Sequence, residues 1–359
     1  MEYLRSVFGK KQLKLAIAGA ISLLVALILT CIGKIVAGGM SAERMAERWS
    51  KTGDFAQVSC FFSEFSGFTE DSVKELNYKT EQKFTEDSLA PKNKDARLWL
   101  NAYSAGGEVY AESPIASGMF KAVGVGGDYF LFHPLEIING CLFNGESGID
   151  DTIVIDRDVA WNLFGSTNVV GQIVEIGGQR HVVCGVIERE SGRINDLAGN
   201  DKPTIYMSYN SLSNYGIASY INMYEAMMPN PISGYAKSAV EKNLPVSADT
   251  CEIIENTGRF HWTRLLKNVK NFGTRGMNGK AIVYPYWENV ARGVEDYLTP
   301  VAVMALLFYL FPIVLLILLL FRMWKKRTIH RNDVKRFIED RFEEYKEKRR
   351  KVKKGEIYE

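Results

Sequence analysis

The chain has 359 residues, 47% of them hydrophobic, and a formal net charge of +2. This length is enough to bury the cores of two or three domains. The nearly balanced charge excludes a nucleic-acid-binding protein with a dominant basic surface, and no nucleic-acid partner is predicted.

The first predicted element is an apolar segment near the N-terminus. Residues 15–32 carry no charge, and the apolar character continues to residue 37. About 20 apolar residues span a bilayer, so residues 15–37 are predicted to form a transmembrane helix. A cleaved signal peptide is the alternative, because basic residues precede the segment and Ala37-Gly38-Gly39 follows it. Retention as an anchor is favoured, since the apolar run exceeds the usual signal-peptide core of about 7–15 residues.

A second uncharged segment, residues 298–321, predicts a second transmembrane helix, and Pro312 is compatible with it. Lysine and arginine are concentrated before the first segment and after the second. By the positive-inside rule, residues 1–14 and residues 322–359 are both predicted to be cytoplasmic. The residues between the two helices are then predicted to be extracytoplasmic.

Residues 38–54 are predicted to be a stalk. Within it, residues 41–50 are predicted to be helical, with Ser41 as N-cap and with Met45 and Trp49 on one face. The extracytoplasmic domain is predicted to occupy residues 55–256. It starts with a strand at 55–62 and a helix from Thr69 to about residue 84. A hairpin follows over residues 97–112, with its turn at 104–107.

The most informative part of this domain is residues 119–187. Strands are predicted at 119–125 and 152–155, with a helix at 159–164. A Gly177-Gly178 turn between two β-branched runs indicates a hairpin over residues 172–187. Further on, residues 190–203 are predicted to be a loop. Strands at 204–207, 221–227 and 251–255 and a helix at 233–243 complete an α+β domain.

Residues 257–297 are predicted to be a helical juxtamembrane connector, because Trp262, Leu265, Leu266 and Val269 recur at helical spacing among basic residues that include Arg275. Such a helix either lies on lipid headgroups or packs against the stalk, and packing is slightly favoured. In the basic tail, an apolar stripe lies on a charged helix and indicates burial against the inner leaflet or a cytoplasmic partner. Its members are Ile329, Val334, Phe337, Ile338, Phe342 and Tyr345.

The sequence predicts no catalytic, cofactor-binding or metal-binding residue, and the chain is predicted not to be an enzyme. A GxxxxGK[ST] phosphate-binding motif is absent from the sequence. Gly124, Gly126 and Gly127 lack dinucleotide-binding spacing and are interpreted as a turn. His181 and Cys184 lie three residues apart on a strand and therefore on opposite faces. The aspartates at 150, 151, 156 and 158 lack calcium-loop spacing and are interpreted as turn and cap residues.

The cysteines leave alternatives open. Cys31 lies in the first apolar segment, whereas Cys60, Cys141, Cys184 and Cys251 lie in the predicted external domain. Four cysteines allow two disulfides in three connectivities. The favoured alternative is that they are small buried hydrophobic residues.

Several segments of residues 119–187 resemble the extracytoplasmic core domain of MacB-like and FtsX-like ABC transporter permeases. They are 125–130 (VGGDYF), 140–143 (GCLF), 153–155 (IVI), 160–165 (AWNLFG), 170–177 (VGQIVEIG) and 183–186 (VCGV). The resemblance extends over about residues 55–255. It implies a porter-like domain with a smaller inserted subdomain, and it implies a bacterial plasma membrane as the location.

The resemblance also implies a separate ABC ATPase subunit and a mechanical, non-catalytic role. Family members carry three spans after this domain, whereas this sequence shows one, which implies a second permease chain as partner in a homo- or hetero-oligomer. The leading hypothesis is therefore a permease-related subunit of an ABC transporter-type complex that contacts the lipid bilayer. The alternative is a membrane-anchored extracytoplasmic receptor or sensor.

Overall fold

The computed structural model describes residues 10–91, 93, 96–145, 150–271 and 280–353. It contains two compact units, one formed by Lys34–Pro300 and one formed by Met1–Gly33 together with Val301–Glu359. Some predictions lie outside the described residues. These are most of the cytoplasmic N-terminus, Arg275 of the connector and the last six residues of the tail.

The central unit, Lys34–Pro300, contains a single mixed sheet of ten described strands. The strands are β1 (Phe55–Phe62), β2 (Leu100–Glu112), β3 (Ser117–Gly127), β4 (Glu136–Gly140), β5 (Thr152–Asp156), β6 (Ile173–Ile176), β7 (Gln179–Glu188), β8 (Thr204–Ser208), β9 (Met223–Pro229) and β10 (Cys251–Glu255). Their order is β10-β1-β9-β2-β3-β8-β5-β7-β4, and β6 pairs with β2 and β7. The β3–β8 and β5–β7 pairs are parallel, and the other described pairs are antiparallel.

Helices accompany the sheet and lead away from it. They are α1 (Lys10–Gly38), α2 (Met45–Trp49), α3 (Glu70–Glu86), α4 (Tyr129–Phe132), α5 (Arg157–Phe164), α6 (Tyr209–Asn214), α7 (Tyr235–Asn243), α8 (Trp262–Asn271) and α9 (Tyr286–Lys353). Shorter helical turns occupy Ala42–Arg44, Glu64–Ser66, Arg193–Asn195 and Asp196–Asn200. The last two turns lie in the segment predicted to be a loop.

The core lies on both faces of the sheet. On one face, α3, α5, α6 and α7 contribute apolar side chains such as Leu76, Leu163 and Val240 to a large cluster. On the other face, Met45 of α2, Phe132 of α4 and Trp287 of α9 pack against strand residues. The stalk helix α2, which follows α1 in sequence, and the first turn of α9 therefore pack on the same face of the sheet. This is the α+β class predicted from the sequence.

Most predicted strands are confirmed, and β1 and β10 have the predicted bounds. Thr69 caps α3 through a reciprocal capping box with Ser72, as its position before the apolar pattern indicated. The sequence did not predict β4 or α4.

The predicted hairpin over residues 97–112 is wrong, because β2 runs unbroken through Gly106 and Gly107. These glycines lie opposite Val123 and Ala122 of β3. A Cβ at residue 107 would lie 2.4 Å from the Ile217 side chain. Gly107 therefore allows the Ile217 side chain to pack closely against strand β2, and it does not form a turn.

The stalk helix is also shorter than predicted. A helical turn at Ala42–Arg44 precedes α2, and Trp49 is 40% exposed while Met45 is buried. The two side chains do not share a buried face.

Two helical segments, Leu13–Gly38 and Tyr286–Arg322, are 26 and 37 residues long, and each is long and apolar enough to cross a membrane. The terminal unit contains the first segment up to Gly33 and the second segment from Val301 onward. The Ser22 hydroxyl donates to the Phe308 carbonyl at 2.7 Å, and the hydroxyls of Thr30 and Tyr309 lie 3.2 Å apart. Beyond the second segment, α9 continues into the tail, where Phe337, Ile338, Phe342 and Tyr345 are exposed.

Candidate functional site

A buried polar cluster in the central unit joins the sheet to the two segments that lead into the apolar helices. We call this cluster the junction. Its members are Glu43, Gln57, Ser59, His133, Glu225, Asn256, Arg259, Glu288 and Glu295, all of them buried.

Glu225 of β9 lies at the centre of the junction, with no exposed surface. One of its carboxylate oxygens accepts hydrogen bonds from the Ser59 hydroxyl at 2.6 Å and the Gln57 amide at 3.0 Å. The other accepts from His133 Nε2 at 2.5 Å. Because a carboxylate only accepts hydrogen bonds, the Nε2 atom of His133 must carry the proton. These three hydrogen bonds satisfy both oxygens of the buried carboxylate.

Gln57 of β1 connects this carboxylate to the stalk. Its Oε1 accepts from the Met45 backbone N–H at 2.8 Å, and its Nε2 also donates to the Ala42 carbonyl at 2.6 Å. One side chain therefore satisfies backbone groups at the start of α2 that a helix terminus leaves unpaired. The stalk is attached to the sheet by specific polar contacts as well as by the packing of Met45.

Arg259 forms the second half of the junction. Its guanidinium contacts both oxygens of Glu288 at 2.6 and 2.9 Å, and its Nε donates to Glu295 at 2.9 Å. Burial lowers the pKa of Arg259, but the carboxylates of Glu288 and Glu295 outweigh this effect and hold the pKa above its ordinary value. Glu288 and Glu295 lie on the first turns of α9, so Arg259 attaches this helix to the segment after β10.

Asn256 joins the two halves. Its side-chain amide donates to the Ser59 hydroxyl at 2.7 Å, and Ser59 in turn donates to Glu225. Its carbonyl oxygen accepts from Arg259 at 3.3 Å. A continuous chain of hydrogen bonds thus runs from the stalk through β1 and β9 to the start of α9.

Glu43 is a buried titratable group of the junction. Its pKa is raised to about 8, mainly by burial; the neighbouring Arg259 lowers it, and the carboxylates of Glu288 and Glu225 raise it. Its Oε1 has no hydrogen-bond partner among the described residues. Glu43 lines a cavity of about 210 Å³ together with His133 and Trp287. Near neutral pH the carboxyl is therefore protonated, and it changes charge within the physiological range.

The carboxylates of Glu225 and Glu288 have no exposed surface. Among the described residues, no group of three or more histidine, cysteine or acidic side chains is placed to hold a metal ion.

The residues considered from the sequence have structural roles elsewhere. Asp156 caps α5 by accepting from the Val159 N–H at 2.8 Å, and Asp158 pairs with Arg189 at 2.6 Å. His181 is buried and bonded to the Tyr215 hydroxyl at 2.7 Å, on the face of β7 opposite to Cys184. Gly124, Gly126 and Gly127, interpreted as a turn, instead lie in β3.

None of the junction residues was predicted from the sequence. A signal was present in β9, where Glu225 interrupts the apolar run Met223–Pro229. A charged residue inside a strand that is apolar on both faces must be paired, but its partners lie as far as 168 positions away along the chain. The sequence alone does not identify them.

The chain contains an α+β domain flanked in sequence by two apolar helical segments, each long enough to cross a membrane. Residues 20–243 match the model of the MacB-like periplasmic core domain family. This match covers more than half of the chain, and the chain belongs to that family. No curated protein matches the chain.

Three solved structures are similar in fold. The extracellular domain of the noncanonic ABC-type transporter YknZ from Gram-positive bacteria is 18% identical, with a TM-score of 0.36, and the match covers 55% of this chain and 99% of that one. The periplasmic region of MacB from Actinobacillus actinomycetemcomitans is 13% identical, with a TM-score of 0.40 and coverages of 65% and 97%. A domain of a putative permease from Porphyromonas gingivalis is 11% identical, with a TM-score of 0.34 and coverages of 56% and 89%.

Proposed function

We propose that the chain is a non-catalytic membrane subunit of an ABC transporter-type complex in the bacterial plasma membrane. In this proposal the two apolar helices cross the bilayer, both termini are cytoplasmic and the central unit is extracytoplasmic. Membership of the MacB-like periplasmic core domain family supports the class of protein. The distribution of lysine and arginine in the sequence supports the orientation.

The observation that carries the proposal is the junction. Both segments that lead toward the bilayer are attached to one sheet face by buried hydrogen bonds and ion pairs, through Gln57 on one side and Arg259 on the other. Separating a buried charge from its partner costs about 3–5 kcal/mol. The sheet and the first turns of α9 therefore move together, and a displacement of the helices is transmitted to the external domain.

The energy source is proposed to be a separate ATPase subunit, because the sequence lacks the phosphate-binding motif of an ordinary ATPase. A second permease chain is proposed to complete the membrane portion. The exposed apolar side chains of the tail, including Phe337 and Phe342, offer a contact for cytoplasmic subunits.

Affinity purification of the tagged full chain from its native membrane tests this proposal. We expect recovery of an ATPase and of a polytopic permease in constant ratio to the bait. A variant with Phe337→Ser and Phe342→Ser tests the tail contact. We expect it to recover less ATPase than the unmodified chain at equal expression. Recovery of the chain alone in a mild detergent would contradict the proposal.

A ligand-binding receptor is the second candidate. The observation that favours it is a cavity of about 340 Å³ between the sheet and the start of α9, with an aromatic wall that includes Tyr206, Tyr286 and Trp287. A receptor is expected to purify without an ATPase and to be stabilised thermally by a small molecule from its host's medium. A transport subunit is expected to copurify with the ATPase.

A further inference from the structure

Two cysteines face each other across neighbouring antiparallel strands at the edge of the sheet. Gly140 at the end of β4 pairs with Gly185 of β7. Cys141 and Cys184 are the next pair in this register, because the Cys141 N–H donates to the Cys184 carbonyl at 2.9 Å. Directly opposed residues of antiparallel strands project from the same face, with Cα atoms about 5.5 Å apart in a hydrogen-bonded pair. A disulfide requires Cα atoms about 4.4–6.8 Å apart.

The surroundings of the two thiols allow the bond to form. Cys141 is exposed, and Cys184 is partly buried. The pKa of the Cys184 thiol is raised to about 11, mainly by burial and to a smaller extent by the neighbouring Cys141. The Cys184 thiol donates a weak hydrogen bond to the Ile153 carbonyl at 3.2 Å. An oxidant therefore reaches Cys141 first.

The remaining external cysteines form a different kind of pair. Cys60 of β1 lies opposite Ile253, and Cys251 lies opposite Phe62, so the two cysteines are diagonal neighbours on one face. Diagonal neighbours are roughly 7–8 Å apart, beyond the reach of a disulfide without backbone movement. Both are buried in the apolar core. Geometry therefore separates one bridgeable pair from one core pair.

We propose that Cys141 and Cys184 form a structural disulfide in the mature protein, while Cys60 and Cys251 remain thiols. The inference rests on the proposed extracytoplasmic location of the central unit, because disulfides persist in oxidising compartments. The oxidant is a dithiol–disulfide exchange protein in its oxidised form. The Cys141 thiolate attacks its disulfide and releases one of its sulfurs as a thiolate, and the Cys184 thiolate then attacks the mixed disulfide. Two protons and two electrons leave the chain, and the exchange protein is released reduced.

The bond would fasten an edge strand that has little else to hold it. Four of the five residues of β4 are exposed, so the strand is attached to β7 mainly by backbone hydrogen bonds. β4 begins three positions after His133, whose ring contacts Glu225 in the junction. A covalent link between β4 and β7 would limit fraying of the segment that positions this histidine.

Thiol counting on the full chain tests the inference. The free thiols are counted first, by denaturing an untreated sample of the chain and labelling it with maleimide-polyethylene glycol. In a second sample, membranes are treated with N-ethylmaleimide and the purified chain is denatured. The thiols that then become accessible are labelled with maleimide-polyethylene glycol before and after reduction. We expect three free thiols of the five cysteines in the sequence, and two further labels that appear only after reduction. Cys141→Ser and Cys184→Ser should each give four free thiols and no further label after reduction.

A second arm separates this inference from the proposed orientation. The chain is isolated in its reduced form and exposed to oxidised glutathione, and its peptides are then analysed by mass spectrometry. A peptide linking residues 141 and 184 supports the pairing whatever the compartment. If this link forms in vitro but the chain from cells has five free thiols, the extracytoplasmic location is contradicted and the pairing stands. Five free thiols under both conditions, or a link between residues 60 and 251 instead, would overturn the pairing.

Discussion

The guanidinium of Arg259 contacts both carboxylate oxygens of Glu288, at 2.6 and 2.9 Å, and both side chains are buried. This pair attaches the first turn of α9 to the segment that follows β10. In the proposed function it is a polar connection between the external domain and the second membrane helix, beside the pair of Arg292 with Glu252 at 2.9 Å.

Replacing Arg259 by methionine should therefore destabilise the full chain by about 3–5 kcal/mol, because the carboxylate of Glu295 loses its ion pair with Arg259 and the buried carboxylate of Glu288 keeps only its pair with Arg292 at 2.7 Å. The free energy of unfolding in detergent, measured by denaturant titration, checks this. The matched control is Lys79→Met, which removes an exposed ion pair with Glu75 at 2.6 Å and should cost less than about 1 kcal/mol. Equal losses in the two variants would show that the Arg259 pair is not a buried structural link.

Glu43 should make stability depend on pH. Its pKa is about 8 in the folded chain and 4.5 when exposed. Between these values the folded state keeps a proton that the unfolded state has released. Stability should therefore fall as pH rises through this window, by up to about 1.4 kcal/mol per pH unit from this group.

Comparing the wild type with Glu43→Gln between pH 5 and pH 8 isolates this contribution, since glutamine does not titrate. The variant should show a shallower decline than the wild type. Glu47→Gln, an exposed neighbour on α2, should retain the wild-type slope. A Glu43→Gln profile parallel to the wild type would contradict a raised pKa at this position.

Gln57 should control how firmly the stalk is held. Leucine at this position leaves the Met45 N–H and the Ala42 carbonyl without partners, at a cost of about 1–3 kcal/mol for each buried group. Amide hydrogen exchange over residues 42–49 should become at least tenfold faster. Gln82→Leu, on the exposed side of α3, should leave exchange in this segment unchanged. Unchanged protection in Gln57→Leu would mean that packing of Met45 alone holds the stalk.

Gly107 should not tolerate a side chain. The Cβ of alanine would lie 2.4 Å from the Ile217 side chain, which must move or leave its place in the core. Overpacking of this kind costs about 1–3 kcal/mol. At the adjacent Gly106 the nearest atom is 3.6 Å away, so Gly106→Ala should be close to neutral. Thermal unfolding of both variants distinguishes these outcomes, and equal melting temperatures would contradict the packing at Gly107.

Local patterns were enough to predict much of the fold. Alternating and β-branched runs located β1 and β10, and the Gly177-Gly178 turn located the hairpin of β6 and β7, because these signals act over neighbouring residues. The prediction failed where the role of a residue depends on a contact with a residue far away along the chain. Gly107 was interpreted as a turn because its contact, Ile217, lies 110 positions further along the chain.

The junction could not be predicted for the same reason. Arg259 resembles any basic residue near a membrane segment until α9 brings Glu288 to it. Glu225 resembles a misplaced charge until β1 supplies Ser59 and Gln57. The tertiary fold creates both sites, and neither has a local motif.

The most direct test of the account is the side of the membrane on which each part of the chain lies. Leu197→Cys in the Asp196–Asn200 turn and Glu344→Cys in the tail both place a thiol at an exposed position. Intact spheroplasts carrying each variant are treated with a membrane-impermeant maleimide, and the signal of the unmodified chain is subtracted. The account predicts that the cysteine at 197 is labelled on intact cells and that the cysteine at 344 is labelled only after lysis. Labelling of the cysteine at 344 on intact cells, or protection of the cysteine at 197 until lysis, would contradict it.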